Sequence, residues 1–343
     1  LNCLNDMFPA VPRIALTATA DAPTRTEIVD HMRLGNDNRF IAGFDRPNIR
    51  YSVAEKTNPT QQMLAFLKRA SKDKNESGIV YCLSRKKTEG ITERLKAEGF
   101  NALPYHAGMD NETREKNQRR FKNEQGVIMV ATIAFGMGID KPDVRFVLHV
   151  DLPSSIEAYY QETGRAGRDG LPAEALMLYG AEDIALRRRF IDTGDAAAER
   201  KRMEHRKLDS LLGFTEASDC RRKVLLSYFG DEGQACNNCD ACLEPPETFD
   251  GSISAQKLLS AIYRTGERFG QAYVISVLLG EEDERIQNFG LDQLPTFGVG
   301  TEHNRNQWRS LIRQLVARGL INVDIMGHGG MAISTAGRTC LLY

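Results

Sequence analysis

The stretch "VIMVATIAFGMGIDKPDVRFVLHVDLP", residues 127–153, contains two short apolar runs, "VIMVATIA" and "VRFVLHV", joined by a loop with glycines at 136 and 138. Continuous apolar runs of this length, closed by glycine, aspartate and proline, read as strands covered on both faces. Working outward, similar runs occur at "GIVYCLS" (78–84), "NALPYHA" (101–107) and "AEALMLY" (173–179). Between them lie amphipathic helical stretches, "RKKTEGITERLKAEG" (85–99), "NETREKNQRRFKN" (111–123) and "SSIEAYYQETG" (154–164). Strands alternating with such helices define an α/β lobe, a parallel sheet with helices on both faces, from about Phe44 to Gly180. Ligands of such sheets bind beyond the carboxyl ends of the strands. The loops expected there are "CLSRKK", "YHAGMD" and "ATIAFGMGIDKPD".

On the amino-terminal side, "RIALTATA" (13–20) reads as one more apolar strand, and "DAPTRTEIVDHM" as a helix in which Thr24 and Glu27 have capping-box spacing. On the carboxyl side, 181–246 shifts to charged helix ending in a cysteine cluster, and "LEPPETFDG" (243–251) breaks the chain before a third region. That region has helical patterns near 255–264 and 304–318. A hairpin pattern, "LINVDIMGHGGMAIST" (320–335), follows, and helices before a hairpin predict a winged helix.

Composition excludes little. With 45 basic and 46 acidic residues among 343, whole-chain charge gives no sign of a nucleic-acid partner, so any such surface depends on local segregation. The chain has no apolar run near the roughly 18 residues of a membrane helix. The opening "LNCLNDMF" lacks the features of a signal peptide, which makes a cytoplasmic protein the default expectation. No G-x-x-x-x-G-K-[ST] phosphate loop and no D-E-x-H or D-E-x-D carboxylate pair occurs anywhere in the sequence.

Seven cysteines are present, and Cys220, Cys236, Cys239 and Cys242 stand as C-x15-C-x2-C-x2-C. Two-residue gaps let a tight turn aim successive thiolates at one ion, and four complete a tetrahedral site. An iron–sulfur cluster also takes four cysteines, but its bacterial spacing has a further close cysteine before proline that is missing here. One closed, structural zinc is the better fit.

The second motif is "QETGRAGRDG" (161–170), where Arg165 and Arg168 are flanked by Gly164, Gly167 and Gly170. Cations at a helix C-terminus need no ligand to explain them, and a Gly-rich strand exit such as 136–138 needs none either. In combination, with Asp140 offering a carboxylate on the neighbouring loop, they read as paired phosphate contacts. His106 and His149 fit hydrogen-bonded strand-end residues as well as functional ones.

In order and spacing, "ALTATA", "IVYCLSRKK", "YHAGM", "VATIAFGMGIDKPDVRFVLHVDLP" and "YYQETGRAGRDGLPAEA" resemble helicase motifs III to VI of superfamily 2. The run "DCRRKVLLSYFGDEGQACNNCDACL" is similar to the zinc module of bacterial RecQ DNA helicases. The resemblance implies four segments: 1–43, the end of a first RecA-like lobe; 44–182, the second RecA-like helicase lobe; 183–246, a helical zinc-binding module; and 247–343, a winged-helix DNA-binding domain. It implies an ATP-dependent 3′–5′ DNA helicase of recombination and repair, whose ATP and Mg are held largely by a lobe this sequence lacks, so the chain alone is expected to be inactive. Arg168 matches the arginine finger and Arg165 its partner, with Gln161, Asp140 and Gly138 facing nucleotide. Ser84, Arg85, His106 and Thr132 match the DNA-tracking edge.

Expected partners are single-stranded DNA and duplex junctions, with a single-stranded-DNA-binding protein as a further candidate. Two rival readings are an RNA helicase, whose sixth motif usually opens with His-Arg, and a non-catalytic zinc and winged-helix regulator, in which motifs V and VI would have no purpose. Between Thr301 and Tyr343 five arginines stand against two acids. Arg305, Arg309 and Arg313 repeat at i, i+4 and i+8 along one helix, and with His328 at the hairpin tip they form the candidate duplex contact.

Overall fold

The computed structural model describes residues 2–17, 19–20, 22–34, 40–71, 74–136, 140–324 and 330–342. Two compact units emerge: one comprising Leu1–Val53, Thr60–Met177 and Ala217–Pro245, the other Ala54–Pro59, Leu178–Glu216 and Pro246–Tyr343.

The first unit is built on a six-stranded sheet. Its strands are β1 (Ile49–Glu55), β2 (Ser77–Tyr81), β3 (Asn101–Tyr105), β4 (Val127–Ala131), β5 (Val144–His149) and β6 (Ala173–Tyr179), in the order β1-β6-β5-β2-β4-β3. The pairs β3·β4, β2·β4, β2·β5 and β5·β6 are parallel. Every residue of β2 and β4 is buried, which accounts for their unbroken apolar sequences. Gly78 is needed at the centre: a Cβ there would lie 2.0 Å from the Phe146 ring.

Five of these strands coincide with the runs read from the sequence. The sixth, β1, and the helix α3 after it (Pro59–Ala70) were not expected. Strand β1 alternates buried and half-buried positions only over its first four residues, too short a period-2 signal to stand out. Conversely, "RIALTATA" forms no strand among its described residues, with Ile14 and Leu16 78% and 85% exposed. A strand requires a neighbour for its ladder, and none of the described strands supplies one.

Helices α4 (Arg85–Ala97), α5 (Asn111–Asn123) and α6 (Ile156–Thr163) follow the strands. Each starts on a side chain that satisfies an otherwise free amide: Ser84 accepts from Lys87 N, Asp110 from Thr113 N and Ser155 from Ala158 N. The same unit carries α1 (Asn2–Met7), α2 (Ala22–Met32) and the cysteine-bearing helices α9 (Arg221–Tyr228) and α10 (Asp240–Leu243).

The second unit contains α7 (Ala181–Thr193), α8 (Ala198–Thr215), α11 (Ser252–Arg264), α12 (Gln271–Leu279), α13 (Glu284–Asn288), α14 (Arg305–Ala317) and α15 (Thr335–Leu342). Antiparallel strands β7 (Ile321–Val323) and β8 (Met331–Ile333) form the predicted hairpin. Helix α14 begins in a capping box between Asn304 and Gln307. It buries Trp308, Leu311, Ile312, Leu315 and Val316, and the indole N–H donates to Gly300 O at 2.8 Å. Helices with a two-stranded wing match the winged-helix expectation. Among the described residues no helix is long and apolar enough to cross a membrane.

Candidate functional site

Helix α6 ends at Gly164, and the chain then turns back through Gly167, whose φ of +57° suits glycine. The turn places Arg165 and Arg168 against the loop after β4. An Arg165 N–H donates to the Gly136 carbonyl, and Arg168 pairs with Asp140 at 3.2 Å. Arg168 is 37% exposed and Asp140 83%, so this pair faces solvent. The Gly167 amide donates to Val144 O at 2.8 Å and the Asp169 amide to Pro142 O at 3.2 Å, which sets the turn beside the start of β5 rather than at the carboxyl ends of the strands. By contrast, Arg165 has a buried Nε without a partner among the described residues. Gln161, one turn earlier on α6, donates to the Thr19 hydroxyl. Four of the five residues read as nucleotide-facing or catalytic are thus gathered on two adjoining loops and the last turn of α6; Gly138 lies outside the described residues.

Behind them His149, Tyr81 and Glu162 are tied together. His149 Nε2 lies 2.6 Å from Glu162, and its ring stacks on Tyr81, whose hydroxyl donates to Phe135 O at 3.0 Å. Burial raises the Tyr81 pKa well above its ordinary value, so the phenol stays a donor. His149 is thus held at the strand end through Nε2, while its buried Nδ1 has no partner among the described residues.

A second feature opens beyond β2 and β4, an open groove lined by Ser84, Arg85, Lys86, Thr132, Ile133 and neighbouring residues. Three of the four residues assigned to the tracking edge share this groove. His106 is the exception: it is 3% exposed, and its ring bonds Glu89 at 3.1 Å. Asp151 fixes the groove wall by accepting from Leu83 N at 2.9 Å and pairing with Lys87.

The four clustered cysteines converge, with all four Sγ atoms within 4.8 Å of one another. Cys236–Cys242 and Cys239–Cys220 are 4.0 and 3.9 Å apart, close to the roughly 3.8 Å edge of a tetrahedron with 2.3 Å zinc–sulfur bonds. The amides of Cys236 and Arg221 point at the sulfurs of Cys220 and Cys239, at 3.3 and 3.4 Å. Burial pushes the Cys239 thiol up to about 12, whereas for Cys220 the amides of Lys223 and Cys236 overcome burial and bring it down to about 7. A dication favours the thiolate at all four positions. The donor set is closed and all sulfur, so the site takes one structural zinc.

On α14 the three arginines have different surroundings. Arg309 makes one long contact, 3.5 Å to Asn306, while Arg305 is held by Ser276 and Glu281. Arg313 is only 12% exposed and is gripped by Glu55 at 3.0 Å and Glu216 at 2.7 Å, with its guanidinium over the Tyr179 ring. The i, i+4, i+8 repeat therefore does not form one solvent-facing row. Residue i+8 is rotated by about 80° from residue i. Helices α7 and α8 pack on that side of α14 and enclose Arg313. His328 lies outside the described residues.

Sequence reasoning missed Arg46 and Asn48. Arg46 donates to the carbonyls of Gly164, Ala166 and Gly167 at 3.0, 2.8 and 3.2 Å, and Asn48 to those of Gly167 and Leu171 at 2.8 and 2.9 Å. The available signal was "RPN" just before a strand, a turn signature with proline at its second position.

Comparison with known proteins divides the chain among three families. The helicase conserved C-terminal domain matches residues 56–170, the RecQ zinc-binding family 181–243 and the RQC domain 245–342. The ATP-dependent DNA helicase RecQ of Pasteurella multocida is 48% identical over 322 residues, 94% of this chain and 50% of the relative. The proteins of that name from Haemophilus influenzae and Bacillus subtilis are 47% and 34% identical, over 94% and 96% of this chain and 51% and 55% of their own lengths. The chain spans about half the length of these curated relatives. Over 181–243 and 245–342 the matched models are RecQ-type modules, and along most of its length the chain is similar to RecQ DNA helicases.

Proposed function

We propose that the chain is the carboxyl part of the catalytic core of an ATP-dependent 3′–5′ DNA helicase acting in recombination and repair in the cytoplasm. In this reading 1–43 ends a first RecA-like lobe, 44–182 is the second lobe, 183–246 the zinc module and 247–343 the winged helix. The carrying observation is the meeting of the turn after α6 with the loop after β4, Arg168 on Asp140 and Arg165 on Gly136. Magnesium-bound ATP, when held by a phosphate-loop lobe, supplies the phosphoryl group. Arg168 offers a rigid fork of donors to charge developing on that group, and Arg165, tied to the neighbouring loop, fixes the turn between them. Gln161 reaches the segment before α2 through Thr19, a path by which nucleotide state and DNA tracking can be linked.

The groove at Ser84, Arg85 and Thr132 takes the single strand, with the Ser84 cap and the N-terminus of α4 facing phosphate. The α14 surface around Arg309 and the wing bearing His328 take the duplex end. A single-stranded-DNA-binding protein is a natural partner for the displaced strand.

The test uses the full-length protein. Arg168→Lys should retain ATP binding and lose most DNA-stimulated hydrolysis, because an ammonium cannot reproduce the planar fork. The present chain alone, which has no phosphate loop, should hydrolyse nothing. Normal turnover by Arg168→Lys removes Arg168 from catalysis.

A further inference from the structure

Residues 44–49, "FDRPNI", form a turn closed by the Ile49 amide on Arg46 O at 3.1 Å, with Pro47 at its second position. The turn directs two side chains into the loop that carries the arginines. Between them Arg46 and Asn48 make the five hydrogen bonds given above, on four carbonyls that bracket both Arg165 and Arg168. Three of those carbonyls follow the last turn of α6, where backbone acceptors have no helical partner and a cation is favoured.

The opposite side of the turn is also secured. Arg222 on α9 donates to Pro47 O at 2.9 Å and Ile49 O at 3.1 Å and pairs with Asp45 at 3.3 Å. Phe44 stacks on Phe229 with ring centres 4.7 Å apart, and its amide donates to Asp231 at 2.8 Å. Tyr160 of α6 donates to Phe44 O at 2.9 Å. The turn is thus pinned to the cysteine-bearing helix on one side and to the arginine loop on the other.

We infer that Arg46, assisted by Asn48, is a positioning residue for the arginine pair, holding the 164–171 loop so that Arg165 and Arg168 keep their register against the loop after β4. This rests on the reading of Arg168 as a catalytic group. A fork of donors shared among three carbonyls fixes both the height and the direction of the turn, which a point charge cannot do. Displacing a catalytic group by about 1 Å can cost of the order of a hundredfold in rate.

The experiment compares Arg46→Ala, Arg46→Lys and Asn48→Ala with Arg168→Lys in the full-length protein, measuring kcat and KM for ATP with DNA saturating. Zinc content and the thermal midpoint serve as controls of folding. Arg46→Ala should lower kcat by about 10- to 100-fold. KM for ATP should stay within about twofold of the parent, because the contact removed touches no substrate. Arg46→Lys should recover only part of that loss, and Asn48→Ala should show a smaller decrease of the same kind. If Arg46→Ala does not fold, Arg46→Lys and Asn48→Ala carry the test, and full kcat in both overturns the inference. An inactive Arg168→Lys beside fully active Arg46 variants sinks the positioning role alone. An active Arg168→Lys sinks the catalytic reading on which it depends.

Discussion

At the scale of single residues, the arginine loop shows how little of a site lies in its motif. "GRAGR" announces two cations and two glycines, and in the fold they stand between α6 and β6, against the loop after β4. What holds them there is contributed by a turn about 120 residues earlier, and nothing local in the motif marks that partner. Asp169 is a further brace, pairing with Arg145 at 2.6 Å and accepting from Leu171 N at 3.0 Å. The Arg145 guanidinium holds its carboxyl below the ordinary carboxylate range. For an acid with a depressed folded pKa, the stabilisation is present above the ordinary value of about 4 and is lost as pH falls through the folded one. The difference in thermal midpoint between the parent chain and Asp169→Asn should therefore be constant near neutrality and shrink toward zero below about pH 4. A difference that persists unchanged into acid would mean that the brace does not depend on ionisation.

Among the elements, the plainest in sequence were the fully buried strands, although β3, with only two of its five residues buried, was legible too. Strands β2 and β4 are buried at every position, and their apolar runs could hardly be read otherwise. Strand β1, half-buried over most of its length, and the segment 13–20, apolar but without a ladder neighbour among the described residues, were misjudged in opposite directions. Hydrophobicity reports burial, whereas strand formation also requires a partner. The cysteine element was legible because spacing alone determines which thiolates can share an ion, and the four sulfurs do converge. Cys220 and Cys239 are themselves the residues that begin α9 and α10, so the metal site and the two helix starts are one structure. Zinc binding is then folding energy for this segment. Elemental analysis should give one zinc per chain. Cys239→Ser, or a chelator, should lower the melting temperature and solubility together, and acidification should release metal as protons compete for the thiolates. Cooperative melting at an unchanged midpoint in metal-free protein would reduce the cluster to ordinary thiols.

For the molecule as a whole, charge decides where DNA can be sought. The chain carries a net charge of −1, so no global field draws a polyanion to it, and attraction depends on local excess such as the five arginines against two acids in 301–343. The sequence counts those arginines alike; packing separates them. Arg313 is enclosed with Glu55, Glu216 and Tyr179, and although burial by itself favours its neutral form, these neighbours hold it charged. Arg305 already has a carboxylate partner, while among the described residues Arg309 has only the long Asn306 contact. Each phosphate neutralised contributes about 0.9 to the slope of log affinity against log salt. Arg309→Ala should therefore flatten the slope for duplex-bearing DNA by about one unit and leave the melting temperature unchanged. Arg313→Ala should do the reverse: stripping the partner from two half-buried carboxylates should lower stability, and any loss of DNA affinity should follow the unfolded fraction. Measuring affinity from about 50 to 200 mM salt alongside denaturant unfolding separates the two effects. If Arg309→Ala leaves the slope intact while Arg313→Ala flattens it without loss of stability, the phosphate-contacting surface is not the open flank of α14, and the duplex must be sought elsewhere on the chain.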